Sequence, residues 1–319
     1  MNIHMNNAAP QKLTIPNIGI SVRSSYGPTT EPRVGAQHII DRAAAAEASN
    51  LDSLFLGDHH ATPTPYYQNI PMMGRLLANW SGPKCGVLLL LPLWHPVLVA
   101  EMLSTLASLT SSTFVLQAGI GYGEKQFSAL SADYEQRGER FEQSLTILHA
   151  LWSGETISNP LWEIERAIIS PKPSEPIATW IGATAPVALK RVARMGHSWL
   201  ADPGLTKPNL LKKRDLYLAA CEAEGTEYPS QMAVRRDVHV ADSDKEAGAV
   251  RAELEAKQYR GIDPDALVIG TVGQVEAHFR DLGEIGFTDI ITRHLHPDQT
   301  SAIRSIERLG HVRERFNAG

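Results

Sequence analysis

The chain has 319 residues, 43% of them hydrophobic, and a formal net charge of -5. That is enough to bury a substantial core in one large domain or two of ordinary size. The acidic balance lacks the basic stripe of a nucleic-acid surface, the two cysteines (Cys85 and Cys221) offer no disulfide framework, and no signal-type segment or apolar run near the roughly 20 residues of a membrane helix is present, so a soluble, cytoplasmic protein is expected.

Residues 1–16 are polar and irregular and read as a loose tail. Ile18 to Val22 is a first strand, and Val34 to Ser49 a helix with Ile39, Ile40, Ala43 and Ala46 on its buried face. Leu51 to Gly57 is a second strand, stopping at Asp58-His59-His60, and Ile70 to Trp80 is helical. Gly86 to Leu91 has the length and apolar character of a strand buried on both faces. From Pro96 the spacing becomes helical, with Val97, Ala100, Leu103, Leu106 and Ala107 on one face; Phe114 then opens a further strand that ends in Ala118-Gly119-Ile120-Gly121-Tyr122-Gly123. Strand, helix and strand here make a parallel βαβ unit with a right-handed crossover. Beyond it lie a helix from about 138 to 152, an irregular Pro-rich stretch, strands at 177–182, 198–201, 232–240 and 288–292, and helices at 185–195, 210–224, 245–259, 273–283 and 300–315. Eight short apolar strands alternating with helices predict an α/β fold, a closed (β/α)8 TIM barrel in a single domain over 17–319, with insertions near 153–176 and 241–270. The alternative, a doubly wound open sheet, would want a glycine-rich dinucleotide turn where this chain has Ser21-Val22-Arg23-Ser24.

In a barrel the chemistry lies at the carboxyl ends of the strands. The second strand ends in Asp58-His59-His60, and histidine next to a carboxylate suits proton transfer near neutral pH. The third ends near Pro92, with His95 following; the fourth ends in the glycine cluster, which lets a flat ligand or phosphate approach the backbone. Gly182-Ala183-Thr184-Ala185 leads into a helix whose free amides and dipole suit a phosphate, with Thr184 as the expected N-cap. Gly270-Thr271-Val272-Gly273 is a competing phosphate turn. The last strand ends in Arg293-His294, with His296 beyond. Asp58, His59, His60, His294 and His296 could in principle form a metal centre, but the early histidine pair of barrel metallohydrolases is missing at Ile18-Gly19-Ile20, and no metal is expected. Arg235-Arg236 reads as a solvated edge, and Arg137 and Arg140 as partners of surface carboxylates such as Glu139 or Glu142.

The run Leu91-Pro92-Leu93-Trp94-His95-Pro96, the helix and strand after it, and AGIGYGEKQF resemble the luciferase-like flavin monooxygenases and their deazaflavin-dependent relatives. Arg137-Gly138-Glu139-Arg140 ahead of Leu151-Trp152-Ser153-Gly154-Glu155 extends the likeness. The resemblance implies reduced FMN, delivered by a separate flavin reductase, and oxygenation of a small organic substrate. It implies a catalytic His59 oriented by Asp58, with His60, His95 and Arg293 lining the substrate pocket. It also implies cofactor contacts at Val87, Leu88, Gly119, Gly121, Tyr122, Gly182, Ala183, Thr184 and Ala185, with a non-proline cis peptide at Val87–Leu88 backing the ring. Many flavin members place arginine where this chain has Ile120, which favours the alternative, a hydride-transfer enzyme using coenzyme F420. A catalytically silent flavin-binding barrel is a third reading. Family members commonly pair as homodimers, and Trp80 with the helix after Pro96 could supply such a face.

Overall fold

Eight parallel strands close on themselves in the computed structural model, which describes residues 15–318. The expected tail therefore lies almost wholly outside the described residues. The ring runs β1 (Asn17–Val22), β2 (Ser53–Leu56), β3 (Lys84–Leu90), β4 (Thr113–Gly119), β7 (Ala178–Gly182), β8 (Ser198–Ala201), β9 (Ala233–Ala241) and β11 (Asp289–His294), and β11 pairs back onto β1. Each neighbouring pair is parallel. Helices α1 (Pro32–Ala48), α2 (Asn69–Leu77), α3 (Pro96–Ser108), α5 (Arg137–Ser153), α6 (Pro186–Arg194), α7 (Lys207–Glu224), α9 (Val272–Glu284) and α10 (Gln299–Ala318) form the connections, with a short α4 (Glu124–Ala129) after β4. No helix among the described residues is long and apolar enough to cross a membrane.

Two departures from simple alternation decorate the ring. An antiparallel hairpin, β5 (Ile157–Asn159) with β6 (Ile164–Ala167), stands between α5 and β7. Between β9 and β11 the chain adds α8 (Asp244–Ala256) and β10 (Val268–Thr271), which pairs with the far end of β9 outside the ring. β10 escapes sequence reading because its four residues carry no alternation and merge with the helix that follows.

Side chains alternate across each strand. The outward set packs with the helices into one continuous shell, including Ile18, Leu54, Val87, Leu116, Ile181, Val234 and Ile290. The inward set forms a separate plug of Phe55, Val115, Trp180, Leu200, Ala233 and Ile291. Lys84 and Asp289 pair at the amino-terminal end of the plug, with Lys84 Nζ 5.8 Å from the centre of the Trp180 ring. Asp52 ties the ring to its last helix: it accepts from the Ile18 amide at 2.8 Å and from both Arg313 nitrogens at 2.7 and 2.8 Å. Trp80, for which the sequence leaves a dimer face and the core equally open, is core: it is buried, and its Nε1 donates to Lys84 O at 3.0 Å. Val99, Ala100, Leu103 and Leu106 are buried on the barrel, leaving Leu98 as an exposed apolar residue of α3.

Candidate active site

Alternation also decides which side chains reach the carboxyl rim. Phe55 lies beside Gly86 in the β2–β3 register, so Gly86, Leu88 and Leu90 share the inward face of β3. By the same rule Gln117 and Gly119 face inward on β4, Gly182 on β7, Arg235 and Asp237 on β9, and Arg293 on β11. The mouth thus has an apolar side of half-buried Leu88 and Leu90 with open glycines at Gly119 and Gly182. A cationic side faces it across the ring.

His59 sits half-buried at the β2 end, its ring 5.6 Å from that of Tyr66. Burial lowers its pKa, the neighbouring His60 lowers it further, and Asp58 opposes both. His59 is therefore neutral near pH 7 and able to accept a proton. Tyr66 is pushed up to about 12, by burial first and then by Asp58, so its hydroxyl remains a donor; Arg235 and Arg293 are near enough to pull the other way.

The expected Asp58–His59 pair does not form. The Asp58 side chain is wholly buried, and its Oδ2 accepts from the Leu90 amide and from Trp94 Nε1, each at 2.8 Å. Its Oδ1 lies 3.1 Å from His60 Nε2 but off the hydrogen-bonding direction. The reason is steric order: the turn after β3 brings two N–H donors onto the carboxylate, leaving His59 on the open side. His60 packs edge-on to Trp94 at 5.2 Å, and its amide donates to Gln126 Oε1 at 2.8 Å, a wall position.

Several other expected positions shift. Val87 points into the shell, and the Val87–Leu88 peptide is trans; the cis bond of the described residues is Ser170–Pro171. Tyr122 is 88% exposed at the lip, while Gly121, at φ +77°, turns the chain beneath it. His95 is exposed and lines a separate groove of about 390 Å3 between the start of α3 and the β5–β6 hairpin, its ring edge-on to Trp162. Thr184 is not the N-cap: Ala185 is, followed by Pro186, and no side chain caps α6. Ala183 is buried, whereas Gly182, Thr184 and Ala185 are exposed. The competing turn at Thr271 is closed by a capping box with Gln274, which satisfies the Thr271 and Gln274 amides and fills the turn with side chains.

His294 faces outward, its Nδ1 3.2 Å from Ser305 Oγ on α10, which removes it from any cluster with His59. Arg137 stacks on Tyr134 at 3.7 Å and Arg140 on Trp162 at 4.6 Å, because Glu142 is taken by Arg191 and Arg194. Arg236 is buried outside the ring, but Arg235, read from sequence as a solvated edge, points into the mouth. A two-residue period counted from the apolar Ala233 would have found it.

The apolar side and the uncapped α6 N-terminus fit a flat ring carrying a phosphate arm. Leu88 and Leu90 can pack against a ring, Gly119 and Gly182 leave room for one, and the exposed turn from Gly182 to Ala185, with the Val187 amide behind Pro186, suits an anion, the Ala188 amide being already bonded to Ala185 O at 2.9 Å. A closed ring of eight parallel strands with helices between them is a (β/α)8 barrel. The luciferase-like monooxygenase family model matches residues 17–302, and the chain belongs to that family. It is 27% identical to an F420-dependent glucose-6-phosphate dehydrogenase of Nakamurella multipartita, the match covering 57% of this chain and 57% of that relative's length. Two of the solved structures that share the fold bear on the cofactor. One is the oxygenating constituent of 3,6-diketocamphane monooxygenase from Pseudomonas putida in complex with FMN (TM-score 0.76, 18% identity, 92% of this chain and 97% of that one). The other is an F420-dependent secondary alcohol dehydrogenase with an F420-acetone adduct (TM-score 0.73, 17% identity, again 92% and 97%).

Proposed function

We propose that this chain is an oxidoreductase that uses the deazaflavin coenzyme F420 for hydride transfer to or from a small organic substrate. The observation that carries the reading is the rim: a neutral, half-buried imidazole at His59 beside an apolar, glycine-lined slot that ends at an uncapped helix N-terminus. Leu88, Leu90 and Gly119 would hold the ring, and the turn from Gly182 to Ala185 the phosphate arm. When bound, the deazaflavin supplies hydride exchange; the protein supplies position, a dry wall and a proton carrier. In the oxidative direction His59 takes the proton from a substrate hydroxyl as hydride leaves the carbon that bears it. Tyr66, whose hydroxyl stays protonated and whose ring lies 5.6 Å from that of His59, would donate to the substrate oxygen. The 27% identity to an F420-dependent relative supports this cofactor, as does Ile120, where a phosphate-pairing arginine would suit FMN.

The family match also favours a second reading, an FMN-dependent monooxygenase served by a separate reductase, in which His59 keeps the same role. Anaerobic titration with F420 and with reduced FMN, followed by ring absorbance, separates the two. The expected result is saturable F420 binding at least tenfold tighter than FMN binding, and turnover without oxygen uptake. His59→Ala should leave F420 affinity within about threefold and lower kcat by about 10²–10⁴. In the parent, kcat/KM should fall as pH drops through the lowered His59 value. Preferential FMN binding with oxygen consumption would move the assignment to the monooxygenase; cofactor binding with no turnover for any substrate class would leave a silent barrel. A homodimer remains part of the proposal, to be read from sedimentation.

A further inference from the structure

The cationic side of the mouth has no counterpart in the chemistry assigned so far. Arg23 follows β1, Arg235 lies on β9, and Arg293 lies on β11, three adjacent positions of the ring. All three are half-buried. Four guanidinium groups, with Arg260 the fourth, share one carboxylate: Asp237 is buried and engaged by Arg260 at 2.8 Å. Among the described residues Arg293 has no ion pair, Arg235 has only a 3.5 Å contact to Ser21 Oγ, and Arg23 donates Nε to Ser25 O at 3.0 Å. Burial lowers the pKa of Arg23 and of Arg235, and in both Arg293 is the next cause, so the three charges feel one another. Tyr66 reaches the same space, as does Tyr259, whose buried hydroxyl has no partner among the described residues.

Like charges gathered in a half-buried mouth are unfavourable unless something negative joins them. The groups on offer are chiefly donors: guanidinium forks, which can only donate, and phenol hydroxyls, which can donate. Their complement is an acceptor-rich anion gripped in bidentate fashion. Two anions could come here, the phosphate of the cofactor or a group on the substrate. Position decides between them: β11 and β1 lie across the ring from β4 and β7, whose ends carry the glycine slot and the α6 N-terminus.

We propose that Arg23, Arg235 and Arg293 form a receptor for an anionic group of the substrate, a carboxylate, sulfonate or phosphate, held across the mouth from the cofactor's own phosphate turn. As a substrate anchor it rests on the oxidoreductase reading above. It makes the substrate bifunctional, with its anion on the arginines and its reacting carbon near His59.

The test is calorimetric titration of cofactor-free, full-length protein with inorganic phosphate. The parent should bind phosphate saturably, with one arginine-dependent site per chain, distinct from the cofactor's phosphate turn, at a Kd on the order of millimolar or tighter. Arg293→Gln and Arg23→Gln should each weaken it about tenfold or more, and Arg293→Lys should fall between. Arg194→Gln, at an exposed ion pair with Glu142, should change nothing. F420 affinity of the arginine variants should stay within about threefold of the parent. Should Arg293→Gln fail to fold by circular dichroism, Arg23→Gln decides alone. Absence of saturable phosphate binding, or equal loss in the Arg194 control, overturns the receptor. A parallel fall in phosphate and cofactor affinity reassigns the arginines to the cofactor and overturns the substrate anchor. Phosphate binding in a protein that takes neither cofactor would sink the oxidoreductase reading and leave the anion receptor standing.

Discussion

Asp58 shows how two neighbouring polar residues divide their work. A carboxylate beside His59 suggests a catalytic pair when only the sequence is seen, because adjacency in the chain is visible and direction is not. In the folded barrel the carboxylate turns inward onto the Leu90 amide and Trp94 Nε1, and the imidazole turns to the mouth. Asp58 is thus a positioning residue that pins the turn after β3. Asp58→Ala strands two buried donors and should cost about 2–4 kcal/mol, each unpaired donor being worth about 1–3. Asp58→Asn keeps an acceptor at that place and should cost about half as much. Urea midpoints at constant m-value report the difference. A loss under about 1 kcal/mol in the alanine variant, with turnover down tenfold or more, would return Asp58 to the chemistry.

At the scale of elements, the ring strands and all the long helices are legible from their apolar spacing, as in α3 and β3, whereas the six-residue α4 is too short to show a period. Even β8, only four residues, is readable, since Trp199 and Leu200 stand between a glycine turn and Asp202. What stays hidden is inward direction at strand ends, where one residue of register exchanges core for mouth. Arg235 and Arg236 are the case in point: adjacent, alike in charge, and on opposite sides of β9, Arg235 half-buried in the mouth and Arg236 buried outside the ring. Glycine roles are hidden in the same way. An alanine Cβ at Gly86 would lie 1.9 Å from Val115 O on β4, a backbone atom that can move only by parting two ring strands. Gly86→Ala should therefore destabilise by about 3 kcal/mol or more. Gly248, inside α8, has nothing within 4 Å of such a Cβ. There alanine should stabilise by about 0.5–1 kcal/mol through helix propensity. The same urea titration reads both, and equal signs for the two would refute the packing argument.

The whole molecule carries a dependence on pH that no single element reveals. Among the described residues six histidines (His59, His149, His197, His239, His278 and His294) have lowered values, and the three shifted furthest lie in separate parts of the outer shell, each held neutral by its surroundings. His294 on β11 is lowered to about 3, by burial and then by Arg42. His197 before β8 is lowered to about 4, by burial and then by His149, whose ring stacks on it at 4.9 Å. His278 on α9 is also lowered to about 4, by burial and then by Arg236. In the unfolded chain each would take up a proton near the ordinary value of 6.5. Between 6.5 and about 4 the unfolded state therefore binds more protons than the native state, and stability rises with pH across that window. The contribution is complete above 6.5 and drains away as pH falls toward the folded values. From pH 7 to pH 5 each fully neutral histidine forfeits on the order of 2 kcal/mol, so the three together should cost about 3–5 kcal/mol once partial exposure of His197 and His278 is allowed for. The carboxylates whose values are lowered, Glu142, Glu246, Glu253 and Asp298, act in the same direction but mainly below pH 5, so the upper part of the window belongs to the imidazoles. Urea unfolding at pH 7 and pH 5 should show that loss, and His278→Gln should remove about a third of it. A stability that is flat or rising on acidification would mean that these imidazoles are protonated in the native shell.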